Sequence, residues 1–414
     1  MHHTEKDRLL SKIDDLESSA IDILSDLIGI DSVGPKNDGP GEEGKAVYLE
    51  SLLRELGFKD IKNYPAPDER VTGGTRPNLI CRIPGRDRSR TIWVIAHTDV
   101  VPAGDLKKWA TEPFKAVVRD GKVFGRGSED NLQGLVSGLT MARAFLETGI
   151  TPVIDIALAF VSDEETGSGF GLGFLLKHHE DLFNPNDLII IPDAGEPDGS
   201  MIEIAEKSIL WLKIITLGKQ VHASVPQHGI NAFRAAADLV VKLDQLHKFF
   251  PNQDKLFDPP ISTFEPTKKE ANVPNVNTIP GEDVFYLDCR ILPEYTIDDV
   301  MNAVRKIADE VEKKHKVTIE LSTEQKEQAA PATDIKAPVI GFLQQAIREV
   351  YHIEPRPQGI GGGTVAALFR RKGYPVVVWA KIDDMAHQPN EYCRIDNLTG
   401  DAKVFALTVL NAEL

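Results

Sequence analysis

The sequence predicts an α/β protein: a sheet layered with helices, interrupted by a smaller α+β unit. Three observations lead there. Short, near-continuous apolar runs at residues 91–96, 154–161 and 188–191 alternate with helical stretches, and runs of this kind suit strands buried on both faces. Past residue 207 the order changes to strand, helix, strands, helix, strand, which is a compact motif of its own. Past residue 330 the earlier alternation returns, so the smaller unit reads as an insertion.

Each element has its own signature. Residues 1–30 read as an amphipathic helix, with Leu9, Ile13, Leu16, Ala20, Leu24 and Leu27 at helical spacing. The insertion runs through a strand at 211–216, a helix at 231–249, a strand pair around 284–291, a helix at 297–314 and a strand at 317–321, a ferredoxin-like order. A helix at 337–351, a Gly-rich turn at 359–363 and a strand at 375–380 complete the first domain. The expected organisation is therefore 1–207, 208–329 and 330–414, the middle segment being the inserted domain.

Composition narrows the function classes. The chain has 414 residues, 42% hydrophobic and 27% charged, which describes an ordinary globular protein with room for two domains. A formal charge of -16 argues against a nucleic-acid partner, which would need Lys and Arg gathered on one face. The short basic clusters at 86–90 and 370–372 read as solvated surface. Cys81, Cys289 and Cys393 are odd in number and far apart, so no disulfide framework is expected, and a reducing, cytoplasmic setting fits. The start is too charged for a signal peptide, and no apolar run reaches the roughly 18 residues that a membrane span requires.

Five segments carry the chemistry: His97-Thr98-Asp99, Asp130, Asp163-Glu164-Glu165, Asp193 and His387. Taken alone, the acidic run at 163–165 reads as a solvated helix start. Together, two histidines and several carboxylates at strand ends or in adjoining loops match the nitrogen and oxygen donors that zinc prefers. A serine hydrolase is disfavoured because no Gly-x-Ser-x-Gly elbow occurs; a cysteine hydrolase is disfavoured because Cys289 and Cys393 lack a placed histidine.

Four ordered motifs resemble the zinc-dependent family of acetylornithine deacetylases, succinyl-diaminopimelate desuccinylases, aminoacylases, glutamate carboxypeptidases and carnosinase-like dipeptidases. They are Ala-His-Thr-Asp-Val-Val-Pro at 96–102, Gly-Arg-Gly-Ser-Glu-Asp at 125–130, Asp-Glu-Glu-Thr-Gly-Ser at 163–168 and Gly-Gly-Gly-Thr at 361–364. The resemblance runs over nearly the whole chain. It implies a mixed-sheet di-metal catalytic domain with an inserted lid and dimerisation domain. It also implies two divalent ions per subunit, zinc first, with cobalt or manganese as alternatives. His97 and Asp193 would hold one ion, Glu165 and His387 the other, and Asp130 would bridge both. Glu164 would be the general base towards a water bridging the two ions, and Asp99 would accept the other ring N–H of His97. A cis peptide after Asp130 is a further implication.

In the insertion, the resemblance makes His222 a stabiliser of the developing oxyanion, reaching across a homodimer, and makes Asn277 and Arg290 substrate-holding residues. By the same resemblance Gly361, Gly362, Gly363 and Thr364 would form the turn that approaches the substrate. Alternatives stay open: His222 as a surface residue, Asn277 as a turn cap, Arg290 paired with a structural carboxylate, and the glycines as a plain bend. Gln133 stands where many relatives carry Lys, and Val365 where they often carry Asp. Glu196 competes with Asp193 as ligand. The expected activity is hydrolysis of an amide bond in a small carboxylate-bearing substrate, an N-acyl amino acid or a short peptide. The alternative is an inactive relative that binds peptide or amino acid. The insertion would close as a lid about hinges near Lys207 and Ala330.

Overall fold

The computed structural model describes residues 2–412. The chain divides into two compact units, Met1–Ile204 with Ala332–Gln358 and Leu368–Leu414, and Ala205–Pro331 with Gly359–Ala367. The Gly-rich turn thus groups with the second unit, although chain order suggests the first.

The first unit is built on a mixed sheet. Its strands lie in the order Asp60–Asn63, Leu79–Ile83, Ile154–Val161, Asp87–His97, Leu188–Glu196, Val376–Lys381, Met201–Glu206 and Arg356–Ile360. The middle is parallel: Asp87–His97 pairs with Ile154–Val161 on one side and Leu188–Glu196 on the other, and Leu188–Glu196 pairs with Val376–Lys381. Antiparallel strands flank it. Every residue of Ile154–Val161 is buried, Asp155 included, as a near-continuous apolar run demands. Gly195 lets its strand lie against Val376–Lys381, because a Cβ there would sit 1.8 Å from the Ala380 carbonyl oxygen.

This sheet brings the carboxyl ends of three neighbouring parallel strands together. His97 closes one strand, Ser162 to Glu165 follow the next, and Asp193 lies in the last part of the third. Helix Leu132–Thr148 starts just after Asp130 and packs on Ile395–Asn411, which also packs on Pro338–Tyr351. The expected N-terminal helix is two, His2–Asp15 and Glu17–Ile28, with a break at Leu16, and Met1 lies outside the described residues. Leu9, Ile13, Leu16, Ala20, Leu24 and Leu27 are all buried, as their spacing implies.

The second unit is a four-stranded antiparallel sheet ordered Thr263–Lys269, Glu282–Ile291, Ser208–Leu217 and Thr318–Glu327. Helices Ala232–Leu243 and Ile297–His315 cover it through Leu210, Leu212, Ile214, Leu239, Val300 and Val304. Counted along the unit, the strand order is second, third, first, fourth, the ferredoxin-like arrangement. Strand Thr263–Lys269 escapes sequence reading because it is an edge strand, mostly exposed, with a bulge beside Pro266. Among the described residues, no helix is long and apolar enough to cross a membrane.

Candidate metal centre

The strand ends gather His97, Asp130, Glu164, Glu165, Asp193 and His387 within the first unit. His97 Nε2 lies 3.0 Å from Asp130 Oδ1 and 3.3 Å from Asp193 Oδ1. His387 Nε2 lies 3.0 Å from Glu165 Oε2 and 3.2 Å from Asp130 Oδ2. Asp130 therefore turns one carboxylate oxygen to each histidine. Donor atoms of His97, Asp130 and Glu165, and of His97, Glu164 and Asp193, fall within 4.8 Å of one another. Glu196 points elsewhere, accepting from Ser200 Oγ at 3.1 Å with Arg356 3.6 Å away.

Neighbouring residues aim these side chains. His97 Nδ1 lies 3.0 Å from the Asp99 carbonyl oxygen and donates to it, which turns Nε2 towards the cluster. Asp99 is thus the acceptor of the ring N–H, through its backbone carbonyl and with its Oδ1 3.5 Å from Nδ1, while its carboxylate also accepts Glu164 N–H at 3.0 Å and Glu165 N–H at 3.1 Å. Asp99 thereby ties the His97 strand end to the acidic loop. Asp163, ahead of that loop at φ 66°, is held by Glu42, which accepts its N–H at 3.2 Å, and by Arg76, 3.4 Å from its Oδ1. Asn131 donates to Asp193 Oδ1 at 2.5 Å and to the Pro192 carbonyl at 2.7 Å. The Asp130–Asn131 peptide is cis. Gly127, at φ 83°, is where a Cβ would meet Val100 at 2.5 Å, so the loop before Asp130 requires glycine.

The electrostatics call for cations. Burial first, then the charge of Asp193, pushes the Glu164 carboxyl well above the usual carboxylate range, and burial raises Glu165 as well. Contacts with Asp130 and Glu165 push the His387 imidazole up to about 10. Burial opposes charge on His97, but Asp193 and Asp130 outweigh it and hold its proton well above the usual histidine range. The two imidazoles thus hold protons where a crowded, buried set of carboxylates demands positive charge. Glu165 Oε1 is buried with no hydrogen-bond partner among the described residues. Nitrogen and carboxylate donors converging with excess negative charge fit divalent cations of the zinc type.

The other expected residues lie in the second unit. His222 is exposed; its Nδ1 lies 2.7 Å from Ser224 Oγ and its Nε2 3.5 Å from Asn277 Nδ2. Arg290 is engaged by Asp288, at 2.8 Å from Nε and 3.1 Å from Nη2, and donates from Nη1 to the Gly361 carbonyl at 2.8 Å. Thr364 donates its N–H at 2.7 Å and its hydroxyl at 2.5 Å to Glu206, while Cβ atoms at Gly361 or Gly362 would meet nothing within 4 Å and one at Gly363 only Ile209, at 3.7 Å. Gln133 donates to the Lys381 carbonyl at 2.8 Å and to Asp401 at 3.1 Å, a purely structural engagement. Sequence reading passed over Glu129, Asn131, Glu391, Asp288 and Glu206. Glu129 sits inside the motif at 125–130 and Asp288 two residues before Arg290, and that adjacency was the available signal.

The profile of peptidase family M20/M25/M40 matches residues 93–411. An uncharacterized metallohydrolase of Methanocaldococcus jannaschii is 42% identical over 406 residues, covering 94% of this chain and 98% of its own. The succinyl-diaminopimelate desuccinylase of Rickettsia bellii is 26% identical over 392 residues, covering 91% and 92%. Human carnosine dipeptidase 1 shares the fold, with a TM-score of 0.72 at 18% identity over 98% of each chain.

Proposed function

The chain belongs to peptidase family M20/M25/M40, an amide-cleaving metallohydrolase family, and from that premise we propose that it hydrolyses the amide bond of a small, carboxylate-bearing substrate. The substrate class is an N-acyl amino acid or a short peptide. The observation that carries the reading is the split carboxylate of Asp130, one oxygen towards His97 and the other towards His387.

In this reading His97 and Asp193 hold one ion, Glu165 and His387 the other, and Asp130 both. Two divalent cations, zinc first and cobalt or manganese as alternatives, supply Lewis-acid polarisation of the amide carbonyl and make an attacking water more acidic. Glu164 takes the proton from that water and passes it to the leaving nitrogen. Its place within reach of His97 and Asp193 supports the role, because a general base must sit close to the water it deprotonates. Asp99 keeps the Glu164 and Glu165 amides in place through the reaction. Glu164 is grouped with His97 and Asp193 by distance, yet the five other donors already divide into two sets, which leaves it as the base.

The second unit carries the substrate residues of this proposal: Asn277, Arg290, Gly362, Gly363 and Thr364, with His222 stabilising the oxyanion across a homodimer. Arg290 spends three of its five N–H groups on Asp288 and Gly361, leaving two for a substrate carboxylate. Three buried, free cysteines support a reducing, cytoplasmic setting.

The test is Glu164→Gln. Metal content stays at the wild-type level while turnover on a panel of acetyl, succinyl and glutamyl amino acids and dipeptides falls by roughly 10²- to 10⁴-fold. Undiminished turnover sinks the assignment of the base. No turnover by the metal-loaded wild type on any panel member favours a binding protein instead.

A further inference from the structure

The loops that present Asp130 and His387 hold each other through two buried glutamates. Glu391, fully buried four residues after His387, accepts Gly127 N–H at 3.0 Å and Glu129 N–H and Asp130 N–H at 3.1 Å each. Arg126 Nη1 donates to it at 2.6 Å. Glu129, 4% exposed and directly before Asp130, reaches the opposite way. One of its oxygens accepts Asp383 N–H at 2.7 Å and the other accepts Met385 N–H.

The geometry points to Glu129 and Glu391 as reciprocal positioning residues of the metal centre: Glu391 fixes the loop that presents Asp130, and Glu129 fixes the loop that presents His387. The His387 loop needs such support. Asp384, His387 and Asn390 all sit in the left-handed region, at φ 60°, 62° and 62°, a costly conformation that persists only where surrounding contacts determine it. Asn390 anchors the far end, accepting Ala110 N–H at 2.6 Å and donating to the Lys108 carbonyl at 2.9 Å. His387 itself is 57% exposed, so packing does not fix it. Its near end depends on Glu129.

Both glutamates owe their effect to having two acceptor oxygens. A glutamine offers one acceptor and turns an NH₂ towards a backbone N–H, which breaks at least one bond and leaves a buried donor unsatisfied. The inference rests on the two-ion reading above and adds that the two ions depend differently on these side chains. Glu129 serves the Glu165 and His387 side alone, whereas Glu391 serves Asp130 and therefore both sides.

Chelator competition with zinc, repeated with cobalt by its visible absorption, measures each ion separately. Glu129→Gln weakens one ion by about 10- to 100-fold and leaves the other at wild-type affinity. Glu391→Gln weakens both; should it not fold, Glu129→Gln decides alone. Asp187→Asn is the structural control, because Asp187 accepts Thr91 N–H at 2.8 Å and Trp93 Nε1–H at 2.9 Å, away from any ligand side chain. It lowers the melting temperature and leaves both affinities unchanged. Wild-type affinity for both ions in Glu129→Gln, or equal weakening of both, overturns the inference. A wild type that takes up fewer than two equivalents overturns the two-ion reading as well.

Discussion

The two halves of the candidate metal centre are built differently. His97 and Asp193 stand on adjacent parallel strands and are 2% and 10% exposed. Glu165 stands on the single 3-10 turn Glu164–Thr166 and is 6% exposed, and His387 stands on a loop and is 57% exposed. Ladder pairing holds His97 opposite Val161 and brackets Asp193 between paired Ile191 and Gly195, so the strand-borne donors need little beyond Asn131 and the Asp99 carbonyl. The loop-borne half has no ladder and relies on Asp99, Glu129 and the Asn390 anchor. A site with one stiff half and one tethered half should lose its ions unequally, and removing a ligand from each half should cost the fold unequally.

The largest contrast is expected from the histidines. His97→Ala removes a buried imidazole from between carboxylates; it should lower turnover by about 10³-fold or more and destabilise the metal-free protein by roughly 1–3 kcal/mol in urea denaturation. His387→Ala should cost comparable turnover and destabilise the metal-free protein by less than His97→Ala, because its half-exposed imidazole gives up less packing and its charge contacts with Asp130 and Glu165 are partly screened by solvent. Equal stability losses would break the comparison.

A smaller effect is expected behind the stiff half. Asn131→Ala should weaken one ion, the one on the Asp193 side, by about 10-fold in chelator competition. That is the mirror of the outcome for Glu129→Gln. Loss of the same ion in both variants would mean that the halves are not separable.

The smallest expected effect is a pH slope. Burial pushes the Asp401 carboxyl up to about 7 from its ordinary 3.8, so between those values the folded state holds a proton that the unfolded state has lost. The stability it contributes is complete below about pH 4 and is lost as pH rises towards 7. Asp401 meets Lys381 N–H and Gln133 behind the strands, not the donors, so Asp401→Asn should flatten the melting-temperature profile over that range without changing metal content. An unchanged slope would contradict the assignment.

How much of this was legible in the sequence follows the same division. Strands at 91–96, 154–161 and 188–191 appear as apolar runs, and the structure finds them as Asp87–His97, Ile154–Val161 and Leu188–Glu196. The donors at or just after them could be named from chain order. The edge strand Thr263–Lys269 was invisible because exposed, Pro-containing edges carry no apolar alternation. His387 was legible only through resemblance, since nothing local marks its loop. Glu391 and Glu129 were not legible as tethers, because their partners are backbone amides in sequence-distant loops and any sequence supplies such amides. Asp99 shows the limit from another side: its place beside His97 was readable, but which of its oxygens takes the ring proton depends on where the acidic loop closes.

The claim on which everything else depends is that Asp130 serves two ions at once. Anomalous diffraction at the zinc edge from zinc-loaded crystals tests it directly. The account predicts two peaks per chain, roughly 3.5–4 Å apart, with one Asp130 carboxylate oxygen on each. A single peak, or two peaks of which only one touches Asp130, would contradict it.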